Sequence, residues 1–303
     1  MSALAYPLAL AAAATFAVAI PLEHRAADRT SEVGGFRPRQ IAGFVWATVR
    51  NRWWLIGMGL NAVGFGLHAL SLSLGELSVV QPLLLANLLF ALPVNHWLRR
   101  EPIKLAELLW AGVLIVGLSG FLLIATAGVP PTHDTADPGP AFVAGALVVL
   151  VAGSLAFTAR RAGRSTGATL LGVVSGLLFA VTASLLMDCT GLIAQGPLTL
   201  LTSWQPYVLI VAGATGILFN QLAYQAGPLS ASLPAIAVVD PLVAILLGIA
   251  VFDEHLRHTL PAIIGQVVFL ALLAVGGIAL ARLEQAPEPE PKPEPGPKTL
   301  PAR

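Results

Sequence analysis

Long apolar runs are the feature that most constrains what this chain can fold into. A helix needs about 20 mostly apolar residues to cross the hydrocarbon core of a bilayer. Nine runs of this kind occur, at 4–22, 53–73, 77–98, 105–127, 141–159, 167–187, 206–226, 229–252 and 260–282. Charged residues make up only 11% of the 303 residues, against roughly 25% in soluble domains. The sequence therefore predicts an all-α polytopic membrane protein with about nine transmembrane helices, within a range of eight to ten.

Three segments outside these runs are predicted not to span. Residues 40–49 are apolar on one helical face but too short to cross, which indicates either an interfacial helix or a covering loop. The piece at 191–204 is also short and contains Pro197. The sequence leaves open whether these two pieces enter the membrane. The Pro- and Glu-rich end, 283–303, cannot bury a core and is predicted to be a disordered cytoplasmic tail.

The basic residues indicate an orientation. Lys and Arg accumulate on the cytoplasmic side of membrane proteins. With nine spans, all but Arg257 of the 17 Lys and Arg residues lie on the side that also holds the C-terminus. This pattern predicts a multi-pass protein of the cell membrane with its N-terminus outside and its C-terminus in the cytoplasm. It also favours the fifth run as a true span.

The two halves of the chain resemble each other. The stretch LGELSVVQP (Leu74–Pro82) and the stretch AGPLSASLP (Ala226–Pro234) share Gly, Leu, Ser and Pro in the same order at an offset of 152. Further matches at or near this offset pair Gly64 with Gly216, His68 with Asn220, Glu101 with Glu254 and Gly112 with Gly265, and FAV recurs at Phe16 and Phe179.

These matches predict a first repeat at 1–127 and a second at 167–282, with a linking helix at 141–159 between them. One linking helix between two four-helix repeats inverts the second copy, an arrangement that many secondary transporters use to place a substrate site between the halves. The alternative is that the duplication reflects packing economy alone.

Several classes of function find no support in the sequence. There is no Walker A motif and no G-x-S-x-G nucleophile elbow, and the single cysteine, Cys189, excludes an internal disulfide. His255 and His258 lie three residues apart without a third ligand nearby in sequence, so we interpret them as solvated. A net charge of +1 does not indicate a nucleic-acid partner. We expect no enzyme and no cofactor, although catalytic groups converging from separate helices stay open as an alternative, and the sequence does not tell whether a metal binds.

Asp240 is the main candidate for a functional residue. It lies in AVVDPLVA, in the eighth run, and is the one acidic residue near the middle of a run. A charge at the bilayer centre costs about 2.5–3.5 kcal/mol on insertion scales, so such residues face the protein interior or a water-filled cavity. At an offset of 153 its counterpart is Asn87. Asp240 is predicted to bind a proton or cation; the alternative is a protonated or amide-paired aspartate that only joins two helices.

Polar stripes on two runs supply supporting candidates. In each stripe, small residues and an amide or imidazole side chain recur at helical spacing, which suits either a polar ligand or the joining of helices. The stripes are Asn61, Gly64 and His68 in the second run, and Gly213, Gly216 and Asn220 in the seventh, with Gln221 and Gln225 nearby. For Asn61 and Gln225 the joining of helices is the preferred interpretation.

Two stretches carry a resemblance to a known family. They are ALSLSLGELSVVQPLLLANLLFALPVNHWLRREP (Ala69–Pro102) and AYQAGPLSASLPAIAVVDPLVAILLGIAVFDEHL (Ala223–Leu256). In each, a small-residue turn leads to a Pro-containing helix that ends in an acidic residue, Glu101 or Glu254, and a Gly-rich helix follows. The chain resembles the drug/metabolite transporter superfamily, in its EamA-type group, and the stretch LSVVQPL also resembles its NIPA-type magnesium transporters.

The resemblance implies a secondary transporter or permease that moves a small molecule or ion by alternating access. Small multidrug members carry a glutamate in the middle of the first helix, whereas the first and sixth runs here have no acid before Glu23 and Asp188 at their ends. This difference argues against drug–proton antiport by that mechanism. A NIPA-like magnesium transporter and a non-transporting membrane scaffold are the alternatives. Membrane lipid is an expected partner, and a homodimer is left open.

Overall fold

The computed structural model describes residues 3–27, 52–99, 102–125, 138–227 and 229–283, and within these ranges the regular structure is entirely helical. The helices in chain order are α1 (Ala5–Ala27), α2 (Arg52–Leu74), α3 (Leu77–Leu84), α4 (Asn87–Arg99), α5 (Leu105–Ala125), α6 (Pro138–Ala159), α7 (Arg164–Gln195), α8 (Pro197–Thr202), α9 (Gln205–Ala226), α10 (Leu229–Val251) and α11 (Leu260–Leu283). The predicted all-α fold is confirmed for the described part of the chain.

Eight segments of the described residues are long and apolar enough to cross a membrane, with α3 and α4 together counting as one segment, Leu77–Val94. The apolar part of α1, Ala5–Ala19, is shorter. It nevertheless runs antiparallel to α2, because Ala5 lies against Gly75 just beyond the end of α2 and Phe16 lies against Gly64 in its middle. The protein is therefore a multi-pass membrane protein, and the predicted count of nine spans depends on α1.

Among the described helices four pairs pack extensively: α1 with α2, α7 with α9, and α5 with α11 run antiparallel, whereas α7 with α10 runs parallel. Glycines make the α5–α11 pair tight. Gly117 lies directly on the backbone of Leu273, Gly120 lies on the ring of Phe269, and Gly276 lies on Leu114. Because lipid chains are as apolar as the helices, close packing of small residues is what favours association of helices in a membrane.

The predicted linking helix is present as α6, and its segment Gly139–Ala159 is long enough to span. It packs mainly on α7 and exposes a nearly continuous apolar surface that includes Phe142, Val149 and Leu150. In a membrane this surface faces lipid, so α6 lies at the edge of the bundle.

The first, third and sixth runs differ from the helices that they form. The first run continues past residue 22 to Ala27, so Glu23 lies inside α1. The third run forms two helices, because the chain makes a turn at Leu85 and Ala86 between α3 and α4. The sixth run continues past residue 187 to Gln195, which puts Asp188 inside α7 instead of at its end. Gly196 ends this helix with a backbone φ of 136°, a conformation that favours glycine, and Pro197 then begins the short helix α8.

Some predictions fall on residues that are not described. The segment 40–49 and the tail from residue 284 onward lie outside the described ranges. The segment 191–204 is described: it contains the end of α7 and the six residues of α8, whose side chains Leu198 and Leu201 are exposed. The division into two repeats stays a prediction.

We expect Gly117→Ala to destabilise the protein. Its methyl group would lie 2.8 Å from the Cα of Leu273 and 2.9 Å from the carbonyl oxygen of Phe269, so α11 would have to move. Overpacking of this kind costs about 1–3 kcal/mol. The loss is measured as a lower thermal unfolding temperature of the purified protein in detergent.

The matched control is Gly112→Ala, on the same helix, where none of the described residues elsewhere in the fold lies within 4 Å of the added methyl group. This change should leave the unfolding temperature unchanged or raise it, since alanine is the better helix former. Equal effects of the two substitutions would contradict the close approach of α5 and α11.

Candidate functional site

Asp240 lies in the middle of α10 and is partly buried. The side-chain amide of Gln81 on α3 donates a hydrogen bond to its Oδ1 atom over 3.4 Å, which is long for such a bond. On another side, α10 approaches α7 so closely that Val239 and the backbone nitrogen of Asp240 fill the space a side chain would need at Gly176. The backbone at Asp240 thus lies against α7, while its carboxylate has a weak amide partner on α3.

The chain around Gln81 is not a regular helix. Pro82 has no N–H to donate, and the residues that follow it bond over three positions, Leu85 to the carbonyl of Pro82 and Ala86 to that of Leu83. Asn87 then begins α4, and its Oδ1 atom is buried without a hydrogen-bond partner among the described residues. Helices that are interrupted in this way often border substrate sites in transporters.

Asn87 is the sequence counterpart of Asp240 at the offset of 153, and this correspondence stays a prediction. In the described part of the chain, the hydrogen bond to Asp240 comes from Gln81, which sequence reasoning passed over although it lies in the quoted stretch LSVVQPL. A glutamine inside an apolar run was the available signal. It was missed because an amide is less costly in a membrane than a charge.

His68 lies on the face of α2 that packs against α1. Its neighbours on this face are Gly64, which lies on the ring of Phe16, and Ser71, whose hydroxyl donates to the backbone carbonyl of Ala5 over 2.8 Å. The imidazole is buried, and its Nε2 atom has no partner among the described residues. This position links His68 to the α1–α2 contact and not to Asp240.

Asn220 lies at the corresponding place on α9. It falls between Gly216, which lies on the ring of Phe179 in α7, and Gly227, which lies on Arg164 and Ala168. Its Oδ1 atom is buried without a partner in the described part. Of the remaining candidates, Asn61 is partly buried in α2, and the side chains of Gln221 and Gln225 lie outside what the structure describes.

A second acidic group joins α10 to α3 at the end of this helix pair. Glu254 is buried, and its carboxylate accepts hydrogen bonds from the backbone N–H groups of Leu77 and Ser78, the second over 2.9 Å. These are two of the amides that the first turn of a helix leaves unpaired. Gly248 makes the contact possible, since a side chain there would occupy the place of the carboxylate. The sequence had marked Glu254 only as a repeat match of Glu101 and as the acidic end of a Pro-containing helix.

The turn after α10 aims Glu254 at α3. Asp253 has a backbone φ of 51°, and the N–H of Glu254 donates to the carbonyl of Gly248, six residues back, over 3.1 Å. Burial raises the pKa of Glu254, while its hydrogen bonds from Ser78 and Leu77 act in the opposite direction and the neighbouring Glu76 raises it further.

An ion pair lies at the opposite end of the bundle. His96 near the end of α4 contacts Glu107 in the first turn of α5, with 2.9 Å between Nε2 and Oε2. The same carboxylate accepts a hydrogen bond from the backbone N–H of Lys104 over 2.7 Å. This contact closes the α4–α5 hairpin. No group of three or more His, Cys, Asp and Glu side chains able to hold a metal occurs among the described residues.

The fold and these contacts define a multi-pass helical membrane protein with a carboxylate inside its bundle. No family model matches the chain, and no solved structure matches it. A protein of Corynebacterium glutamicum, itself described as uncharacterized, is 31% identical over 287 residues, which is 94% of this chain and 96% of that protein. The chain belongs to the same family as that protein.

We expect Gly248→Ala to destabilise the protein by displacing the carboxylate of Glu254. The added methyl group would lie 2.8 Å from the Cδ atom of Glu254. Losing a hydrogen-bonded position for a buried carboxylate costs about 1–3 kcal/mol. Thermal unfolding of the two single variants Gly248→Ala and Glu254→Ala and of their combination measures the coupling.

In the Glu254→Ala background the Gly248→Ala change should cost much less, because the carboxylate is no longer there to be displaced. Gly145→Ala on α6 is the control, since no other residue of the described ranges lies within 4 Å of the added methyl group. A loss that is the same in both backgrounds would mean that the methyl group conflicts with something other than Glu254.

Proposed function

We propose that the protein is a secondary transporter similar to the drug/metabolite transporter superfamily, which moves a small metabolite or a cation across the cytoplasmic membrane by alternating access. The observation that carries this proposal is the hydrogen bond from Gln81 to Asp240, between α3 and α10, inside a multi-pass bundle. Ionisable residues within spans are costly, and they commonly mark ion or substrate pathways. A purely structural aspartate would be expected to have a shorter and better satisfied set of hydrogen bonds.

The packing of the two halves supports the predicted repeat. In each half, an aromatic ring on the first helix lies under a glycine of the second, and an alanine near the start of the first helix lies against a glycine after the end of the second. The pairs are Phe16–Gly64 and Ala5–Gly75 in one half, and Phe179–Gly216 and Ala168–Gly227 in the other. Gly64 and Gly75 correspond to Gly216 and Gly227 at the offset of 152, and Phe16 and Phe179 are the recurring FAV positions. The arrangement fits two halves that rock about a shared site.

Asp240 is the proposed proton- or cation-binding group. Its partner Gln81 donates a single long hydrogen bond, which a bound proton or cation can replace at little cost. Asn87, His68 and Asn220 keep buried polar atoms without partners among the described residues, and they remain proposed supporting contacts. In this proposal His68 contributes from its position at the α1–α2 contact, and Asn220 contributes from its position at the α7–α9 contact.

The proposed orientation places the N-terminus outside. Ala5 lies beside Gly75, at the end of the bundle where Glu254 meets Leu77. We call this the Glu254 end, and in the proposed orientation it faces the outside. The His96–Glu107 pair then lies on the cytoplasmic side.

We expect Asp240→Asn to reduce uptake to below roughly a tenth, since contacts to a charged group contribute about 1.5–3 kcal/mol. A growth screen of a deletion strain across metabolites, metals and toxic compounds identifies the substrate, and transport into membrane vesicles is then measured against pH. The matched control is Asp253→Asn, an exposed acid in the turn after α10, which should transport normally. Unchanged uptake and unchanged pH dependence in Asp240→Asn would reject the role of Asp240.

A magnesium transporter is the second candidate, because Asp240 supplies a carboxylate and Asn87 a buried amide oxygen without a partner in the described residues. Mg²⁺ binds oxygen ligands and usually keeps several waters, so one carboxylate with amide oxygens suffices. Magnesium should then raise the thermal unfolding temperature of the protein, and Asp240→Asn should remove this increase. If magnesium still raises the unfolding temperature of the Asp240→Asn protein, magnesium binds at another site.

Two other classes are separated from transport by direct tests. A scaffold that acts through its Pro-rich end should lose its partners when residues 284–303 are removed, whereas a transporter should keep its flux. A membrane enzyme would alter its substrate, so recovery of the chemically unchanged compound across the membrane argues for transport.

A further inference from the structure

The helices that carry the proposed coupling pair are also joined at the Glu254 end. Gln81 is on α3 and Asp240 is on α10, and Glu254 follows α10 and binds the first backbone amides of α3. The two contacts therefore connect the same pair of helices at two depths.

The surface between these two contacts is closed. Asp240, Ala244 and Gly248 recur at intervals of four residues, which places them on one face of α10. Ala244 is fully buried, and so are Leu77 and Ser78 on the facing helix. In the state described here, these buried residues separate the Glu254 end from Asp240 along this face.

We propose that the contact of Glu254 with the amides of Leu77 and Ser78 is a latch, and that its release opens the α3–α10 interface from the Glu254 end toward Asp240. This inference rests on the alternating access proposed above. It assigns the closing of one side to Glu254, which is not among the residues that the sequence predicted to bind a proton, a cation or a substrate.

The geometry suits a contact that forms and breaks. The carboxylate binds N–H groups at a helix N-terminus, where the helix dipole favours a negative charge, and water can take over both partners when they separate. Gly248 has no side chain that would interlock with α3. α3 itself is only eight residues long and is followed by the turn at Leu85 and Ala86, so it can tilt without moving all of α4.

The test measures the accessibility of a cysteine below the latch. Cys189 is buried in α7 and is the chain's one cysteine, so Cys189→Ser gives a background without reactive thiols. In that background, Ala244→Cys places a reporter between Glu254 and Asp240. A membrane-impermeant maleimide is added to one side of the membrane at a time, and the rate of labelling is followed. A second reporter, His255→Cys, is exposed beside Glu254 and identifies which side is the Glu254 end.

From the Glu254 end, Glu254→Ala should speed labelling of the Ala244→Cys reporter by roughly tenfold or more, because it removes two hydrogen bonds to a charged group. Glu254→Gln keeps one acceptor oxygen and should give a smaller increase. Asp253→Asn, a change to the exposed neighbouring acid, should give none. If the Glu254→Ala protein fails to reach the membrane, the labelling rates of Glu254→Gln and Asp253→Asn are compared instead. A faster rate in Glu254→Gln alone supports the latch.

Labelling that stays the same in the Glu254 variants, while the His255→Cys reporter reacts normally, overturns the latch. An equal increase in Asp253→Asn also overturns it, because the effect would then come from the turn and not from the carboxylate. The readout needs no substrate. Normal uptake by the Asp240→Asn protein therefore counts against the proposed role of Asp240. Labelling that does not change in the Glu254 variants, while uptake does depend on Asp240, counts against the latch alone.

Discussion

Helices in a membrane gain little from burying apolar surface against one another, since lipid chains offer an equally apolar surface, so the bundle depends on close van der Waals packing. The described contacts show where that packing is made. Gly117 and Gly276 bring α5 and α11 together backbone to backbone, and Gly176 does the same for α7 and α10. By contrast α6, whose glycines Gly145 and Gly153 touch no other part of the described protein, lies at the edge with its apolar side chains exposed.

The sequence predicted the helices well because the membrane leaves few choices. A backbone in hydrocarbon must satisfy its own hydrogen bonds, so a long apolar run becomes a helix. The exact ends depend on smaller effects. Near Pro82, small local energies decide whether the backbone N–H groups of Leu85 and Ala86 bond three or four residues back. The helix α7 continues past Asp188 and ends only where Gly196 and Pro197 follow it. Neither outcome can be derived from hydropathy.

The candidate site was predictable from the sequence only where a residue differs sharply in polarity from its neighbours. Asp240 drew attention as an acid in an apolar run, whereas its partner Gln81 is an ordinary amide 159 positions away, and Glu254 meets Leu77 across 177 positions. The spacing of His68 with Gly64 predicted a shared helix face correctly. It could not tell that this face packs on α1, because periodicity identifies a face but not the helix that covers it.

The two carboxylates that join α3 to α10 differ in how each could be released. Asp240 is bound by a flexible side chain over a long distance, so a proton or cation that binds the carboxylate can separate it from Gln81. Glu254 is bound by fixed backbone amides that water can replace only when the helix ends part. Under the proposed mechanism, occupancy of Asp240 weakens the inner contact and makes the outer one easier to break. Thermodynamic linkage then requires the reverse as well, so an open latch changes the affinity of Asp240 for its ligand by the same factor.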